Sequence, residues 1–360
     1  MKSNIKTILQ FVLFLSIGAC ILFYFYNTQD RAFQAQLRLE GKSPYPLLQK
    51  LIADFKTVNL FWVGMSLLAF TVSNLSRAIR WNMLMRPLGH QPKLYNAFFA
   101  VNISYLTNLV VSRAGEAVRA SSIARVEKMS ASKVMGTVVI DRLLDMATLL
   151  FILCFAFLIE YDLLWGWLDK NLGSGNGKFR LLQHPLFWGL IAFGVLGMGI
   201  LWRFRDKILK INFIQKVWHI VEQFGEGLKT VRKVERPGWF VFHSLLIWFM
   251  YYMMTYLCFY AFAPTAHLPA VAALTVFVFG TFGIVIPSPG GMGTYHVLAT
   301  AALMLHGVNG NDGFSFANIV FFSIQIFYNI IVGVISIILM NFLNKKVETP
   351  PSLLISHRLN

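Results

Sequence analysis

An all-α polytopic membrane protein is predicted for this chain, with six spans and two oppositely inserted re-entrant hairpins in an inverted-topology repeat. Three observations carry the prediction. Hydrophobic residues make up 56% of the 360 residues and charged ones 13%, with a mean hydropathy of +0.60, which leaves too little polar surface for a water-soluble globule. Six apolar runs, 7–26, 58–76, 134–159, 186–202, 239–263 and 317–343, are each long enough to cross a hydrocarbon core of about 30 Å. Two more apolar regions are broken by polar residues or by glycine and proline, and they fall at corresponding places in the two halves of the chain.

The first run follows Lys2 and Lys6, and "IGAC" at 17–20 resembles a lipoprotein cleavage box, so a cleaved signal peptide is the alternative to weigh. The run continues through Ile21 to Tyr26, where a mature secreted N-terminus would be polar, and a retained anchor is favoured. An amphipathic linker leads to the span at 58–76. Residues 94–112 carry no charge but are interrupted by Asn96, Asn102, Ser104, Thr107 and Asn108, and charge begins at Arg113. Residues 94–132 therefore read as a hairpin that enters the membrane and returns. The span 134–159 differs from the other five in carrying charge, at Asp141, Arg142 and Asp145.

The first half, 1–160, thus runs span, linker, span, hairpin, span. An outer loop at 161–185 follows, and its "GSGNGK" lacks the spacing of a phosphate-binding loop. The second half, 186–343, repeats the order: span 186–202, linker 203–238, span 239–263, hairpin 268–307 around "PSPGGMG", span 317–343. In the linker, Phe213, Val217, Ile220, Phe224 and Leu228 recur at helical steps among lysines and arginines, as on a helix in the cytoplasmic interface or on the protein's own surface. As a helix, the limb from Thr294 to Gly307 reaches only about 21 Å, too short to cross. The first half starts inside and the second outside, so the hairpins enter from opposite faces. Transporters use this plan, and their Gly/Pro-interrupted segments point to the substrate site. The whole chain, 1–360, reads as one membrane domain ending in a cytoplasmic tail at 344–360.

The net charge of +16 is explained by topology. Of the 32 lysines and arginines, 23 fall in segments placed inside and eight in segments placed outside, the positive-inside bias of a multi-pass protein of the cell inner membrane with both termini cytoplasmic. This distribution argues against nucleic acid as a partner and for membrane lipids. Cys20, Cys154 and Cys258 lie singly in apolar runs, which implies neither a disulfide framework nor a metal site, and no cofactor motif is present.

Backbone that leaves a helix in hydrocarbon exposes N–H and C=O groups at several kcal/mol each, so it persists only where protein or water covers it. The glycines and prolines at 287–293 mark such a place, or else a tight turn that merely packs. A helix starting near Gly293 and Thr294 would present unpaired N–H groups and a positive dipole end there, which suits a phosphate or carboxylate. In the first hairpin Arg113, Glu116 and Arg119 recur at three-residue steps and share a helix face. Asp141 and Asp145 share a face of their span, with Arg142 beside them. Charge at that depth is costly and faces a partner or cavity. Two readings stay open: a substrate site, or a self-neutralising brace of three arginines with three acids that pins the hairpin to the span.

The sequence resembles the lysylphosphatidylglycerol synthase/flippase transmembrane-domain family in "RAIRW" (77–81), "SRAGEAVR" (112–119), "IDRLLD" (140–145) and "PSPGGMG" (287–293). The resemblance covers nearly the whole chain, which looks like a free-standing, flippase-like member. The family's Arg-x-Gly-Glu and Pro-Gly-Gly-x-Gly elements map onto Arg113, Gly115 and Glu116, and onto Pro289, Gly290, Gly291 and Gly293. The chain departs from the family pattern in having Val110-Val111 where a proline is frequent and His296 where a glutamate is frequent.

Two functions follow as expectations. The first is a flippase-like transporter that binds or translocates a phosphate-bearing lipid, an anionic or aminoacylated phospholipid. Arg113 and Arg119 would take the phosphate, Glu116, Asp141 and Asp145 would balance charge or receive an amine, and Arg142, Ser288, Pro289, Gly290, Gly291, Gly293 and His296 complete the set. The alternative is a membrane enzyme acting on a polyprenyl- or lipid-phosphate, with carboxylates as acid–base groups. HExxH, GxSxG and Walker motifs are absent. Oligomers are compatible with either.

Overall fold

The computed structural model describes residues 2–39, 41–89, 91–111, 114–161, 163, 234–286 and 291–344. The expected span 186–202, nearly all of the linker 203–238, the outer loop beyond residue 163, the hairpin tip 287–290 and the tail from residue 345 lie outside the described residues. Within them all regular structure is helical: α1 (Lys2–Leu39), α2 (Leu47–Thr57), α3 (Leu60–Met85), α4 (Leu94–Val110), α5 (Gly115–Val126), α6 (Ala131–Ile159), α7 (Pro237–Ala261), α8 (Ala270–Val285), α9 (Thr294–Leu305), α10 (Gly310–Val320) and α11 (Asn329–Leu343). Between α10 and α11 the backbone widens into a π-helical stretch, Phe321–Tyr328, so that Gly310–Leu343 forms one 34-residue helix.

Among the described residues three helices are long and apolar enough to cross a membrane: α6, α7 and Gly310–Leu343. The pair α2 and α3 makes a fourth if taken as one span, but the two helices meet at 83°. The elbow has a local cause. Val58 and Asn59 adopt extended backbone, the Asn59 side chain caps α3 by accepting from the Phe61 N–H at 3.0 Å, and the Asn59 N–H donates to the Ala261 carbonyl at 2.9 Å. The apolar run expected at 58–76 extends to Met85 because Arg77 and Arg80 are buried with partners instead of ending the helix.

Helices α3 and α7 pass antiparallel. Ser66 meets Cys258, Ser73 donates to the Ile247 carbonyl and Ser76 meets His243, partners whose numbers fall as those on α3 rise. Small hydroxyls at this seam let the helices approach closely. Around this pair the contacts come in matching sets: α4 packs on α3 as α8 packs on α7, α4 on α5 as α8 on α9, α5 on α6 as α9 on α10, and α4 on α11 as α8 on α6. Within 94–132, where a hairpin is expected, α4 packs on α5, and within 268–307 α8 packs on α9.

Glycines set how closely each hairpin closes. A Cβ on Gly115 would lie 2.3 Å from the Ser104 carbonyl oxygen, and one on Gly283 would lie 2.6 Å from Tyr295 Cα. Backbone occupies both positions, so no side-chain adjustment relieves the clash. The Gly283 carbonyl also accepts from Thr294 Oγ1 at 2.5 Å. A Cβ on Gly64 or Gly136 meets nothing within 4 Å. Gly115→Ala and Gly283→Ala are each expected to lose about 1–3 kcal/mol through overpacking. Gly64→Ala and Gly136→Ala, at exposed helix positions, should be neutral or slightly stabilising. Thermal unfolding in detergent measures the difference; equal midpoints for all four variants would contradict the packing described.

Candidate functional site

The charged residues meet where α3 and α5 pack on α6. Arg80, fully buried, donates to Asp141 Oδ1 from Nε at 3.0 Å and from Nη2 at 2.5 Å, and to Asp145 Oδ1 from Nη2 at 2.7 Å. Arg77 Nη1 donates to Asp145 Oδ2, and Arg119 Nη1 donates to Asp141 Oδ2 at 2.9 Å. The Arg119 guanidinium also stacks 3.9 Å over the Trp81 ring, whose Nε1–H donates to Thr137 Oγ1 at 2.9 Å. Two carboxylates on one face of α6 thus gather arginines from two other helices.

In front of this network lies a cavity of about 410 Å³. Arg77, Glu116, Arg142 and Asp145, linked by ion pairs, make a polar end, Asn108 and Gln325 add polar side chains to the lining, and much of the rest is apolar and aromatic, with Phe70, Leu149, Trp248, Phe277 and Phe321. Arg142 pairs with Glu116 at 2.8 Å, and these two side chains are 34% and 28% exposed, whereas Arg77 lines the cavity at 3% exposure and Arg80, Arg119 and Asp141 are sealed behind it. Tyr251 accepts from Arg77 Nη2 at 3.3 Å and shares a hydrogen bond with Tyr105 at 2.9 Å, extending the polar end along the wall. Among the described residues the group holds four arginines (77, 80, 119, 142) and three carboxylates (116, 141, 145), one positive charge in excess.

The structure sorts the expected site residues. Glu116, Arg142 and Asp145 line the cavity; Arg119 and Asp141 lie behind it in the ion-pair network. Gly291 and Gly293, with φ of +83° and +82°, shape the entry to α9 in the left-handed half of backbone space, where a side chain would be strained. Tyr295 lines the cavity, whereas the neighbouring His296 is buried between α9 and α10, its ring 4.8 Å from that of Phe321 and 6.0 Å from that of Phe314. Gln325 lines the cavity, and Asn329 donates to its side-chain oxygen at 3.1 Å. Arg113, Ser288, Pro289 and Gly290 lie outside the described residues.

The expected brace is rearranged. Arg142 follows Asp141 directly, which turns it about 100° away around the helix, so it pairs with Glu116 and comes no closer than 4.0 Å to Asp145. Its expected place beside the aspartates is taken by Arg77 and Arg80. Sequence reasoning did not number these two among the site residues, although a pair of arginines three positions apart at the end of an apolar run was the available signal. Tyr105 and Tyr251 were missed as well, since nothing in their local sequence distinguishes them from other aromatics of the spans. Among the described residues no three His, Cys, Asp or Glu side chains converge as a metal would require.

The family model for the lysylphosphatidylglycerol synthase TM region matches residues 47–333. A curated relative, the UPF0104 membrane protein MJ1595 of Methanocaldococcus jannaschii, is 24% identical over 263 residues, which cover 65% of this chain and 75% of the relative. No solved structure matches the chain.

Removing one partner from a buried ion pair strands the other charge, at about 3–5 kcal/mol. Asp141→Asn, which strands Arg119 and weakens the hold on Arg80, is therefore expected to lower the yield of folded protein sharply. Arg142→Gln, at a half-exposed position, should leave the thermal midpoint nearly unchanged. Size-exclusion profiles and unfolding curves of the two variants in detergent check this ordering, and a stable Asp141→Asn protein would contradict it.

Proposed function

The chain belongs to the lysylphosphatidylglycerol synthase TM-region family, and from that premise we propose that it is a flippase-like transporter whose cavity binds the headgroup of an anionic or aminoacylated phospholipid. The observation that carries this reading is the pair of arginines, Arg77 and Arg142, at the polar end of the cavity, in a group that holds four arginines and three carboxylates among the described residues. In low dielectric an uncompensated charge is costly, and a phosphate placed there would neutralise it. Among the described residues Arg142 and Arg77 are the arginines that reach the cavity, and a guanidinium fork suits phosphate oxygens. Glu116 and Asp145 stand beside them and would receive an amine.

Transport requires access from both leaflets. In this reading six spans surround two re-entrant hairpins, α4–α5 and α8–α9, related by an inverted repeat. Supporting it, α3 and α7 hold corresponding places in the two halves yet run antiparallel, and each hairpin makes a matching set of contacts, within its own half and with the last helix of the other. The bias of lysine and arginine supports an inner-membrane protein with both termini in the cytoplasm.

A second reading is an enzyme acting on a lipid phosphate, favoured by one detail: Glu116 Oε2 is buried without a hydrogen-bond partner beside the cavity, where it could take or give a proton.

In proteoliposomes carrying labelled phosphatidylglycerol, Arg142→Gln is expected to slow leaflet exchange about tenfold or more, the equivalent of losing a charge-assisted hydrogen bond. Equal exchange in wild type, variant and protein-free vesicles would rule out transport. Release of phosphate from a lipid phosphate that disappears in Glu116→Gln would establish the enzyme instead.

A further inference from the structure

Of the residues lining the cavity, four are the most exposed: Met146 on α6 at 67%, and Ile284, Val285 and Ile286 at the end of α8 at 40%, 56% and 43%. A side chain that faces the cavity and is also open on its other side stands at an opening. The two helices close on each other farther along, where Ile152, Leu153 and Ala156 of α6 share an apolar cluster with Leu274, Phe277 and Val278 of α8. The four exposed residues lie beyond this cluster on both helices, Met146 before it on α6 and Ile284 to Ile286 after it on α8. Elsewhere on the wall Phe70, Trp248, Val276, Phe321 and Ile324 are buried, and Arg142 and Glu116 are 34% and 28% exposed.

The rim is methionine, isoleucine and valine, with no hydrogen-bonding side chain. Outside it the surface stays apolar, through Leu150, Phe151 and Phe282, each exposed. A mouth bordered this way excludes ions and polar solutes and accepts hydrocarbon. We propose that the cavity opens sideways into the bilayer between α6 and α8, and that this portal holds an acyl chain of the same lipid whose headgroup sits at Arg142 and Arg77. The inference rests on the headgroup reading above and adds the route by which the lipid enters. The chain stays in the membrane at the Met146–Val285 gap while the headgroup moves into the polar end, so the long tail never crosses the cavity. Admission then depends on the width of this gap, and the headgroup charge decides which lipid remains.

The test uses the full chain in nanodiscs containing phosphatidylglycerol with a diazirine in one acyl chain, photocrosslinked and mapped by mass spectrometry. Crosslinks are expected to be several-fold more abundant at Met146 and Ile284–Ile286 than at Leu245 and Phe249 of α7, which are equally exposed apolar positions at 56% and 52%. Val285→Phe, which narrows the gap, should remove the excess at Met146, and so should Arg142→Gln, which removes the anchor. Labelling that is even over α6, α7 and α8, or an excess that survives both variants, overturns the portal. Titration of the wild type with water-soluble glycerol phosphate separates the two ideas: binding together with even labelling means that the headgroup site stands and the portal falls, and no binding together with even labelling means that both fall.

Discussion

The architecture depends on how this protein accommodates charge in a low-dielectric interior. Asp141 and Asp145, one turn apart on α6, satisfy Arg77 and Arg80 from α3 and Arg119 from α5, so three helices are joined by groups none of which could be buried alone. Such a network adds little net stability over an apolar core of the same volume. It does fix which helices meet and in what register, because any slip strands a charge. The α4–α5 hairpin is thereby fastened to the spans at its charged limb, and the cavity in front inherits its position.

Close backbone approach does the rest. Where α4 meets α5 and α8 meets α9, a carbonyl or Cα occupies the space that a side chain would need, so Gly115 and Gly283 are required by contact and not by flexibility. The hairpins differ in chemistry. The first brings Glu116 and Arg119, and the second brings Tyr295 and an apolar end at Ile284–Ile286. Both contribute to the lining of one cavity, so charged and apolar groups meet there, the combination an amphipathic ligand needs.

Much of this was legible in the sequence, because hydropathy and helix-breaking residues are local signals. The apolar runs at 134–159, 239–263 and 317–343 appear as α6, α7 and the helix ending in α11. Asp141 and Asp145 stand out because ionisable residues in an apolar run are costly, and Glu116 and Arg119 because they recur at three-residue steps on one helix face. Their pairing was not legible. Arg77 and Arg80 lie at the end of a run, where arginines ordinarily mark the membrane surface, and only the packing of α3 on α6 shows them to be interior. Nor does sequence tell that His296 faces α10 while its neighbour Tyr295 faces the cavity, since adjacent helical residues diverge by about 100°.

The wide turns between α10 and α11 have a consequence of their own. The π-helical stretch 321–328 places Phe321, Ile324 and Gln325 on the cavity wall and Tyr328 against Thr71, and beyond it α11 must arrive with Gly333 under Leu106 and Asn344 opposite Asn96. A π turn takes up more residues than an α turn, so residue count in this stretch sets the rotational phase of everything downstream. Dropping one residue would spin α11 by about 100° and turn its small face away from α4. Here the number of residues is as strict a specification as their identity.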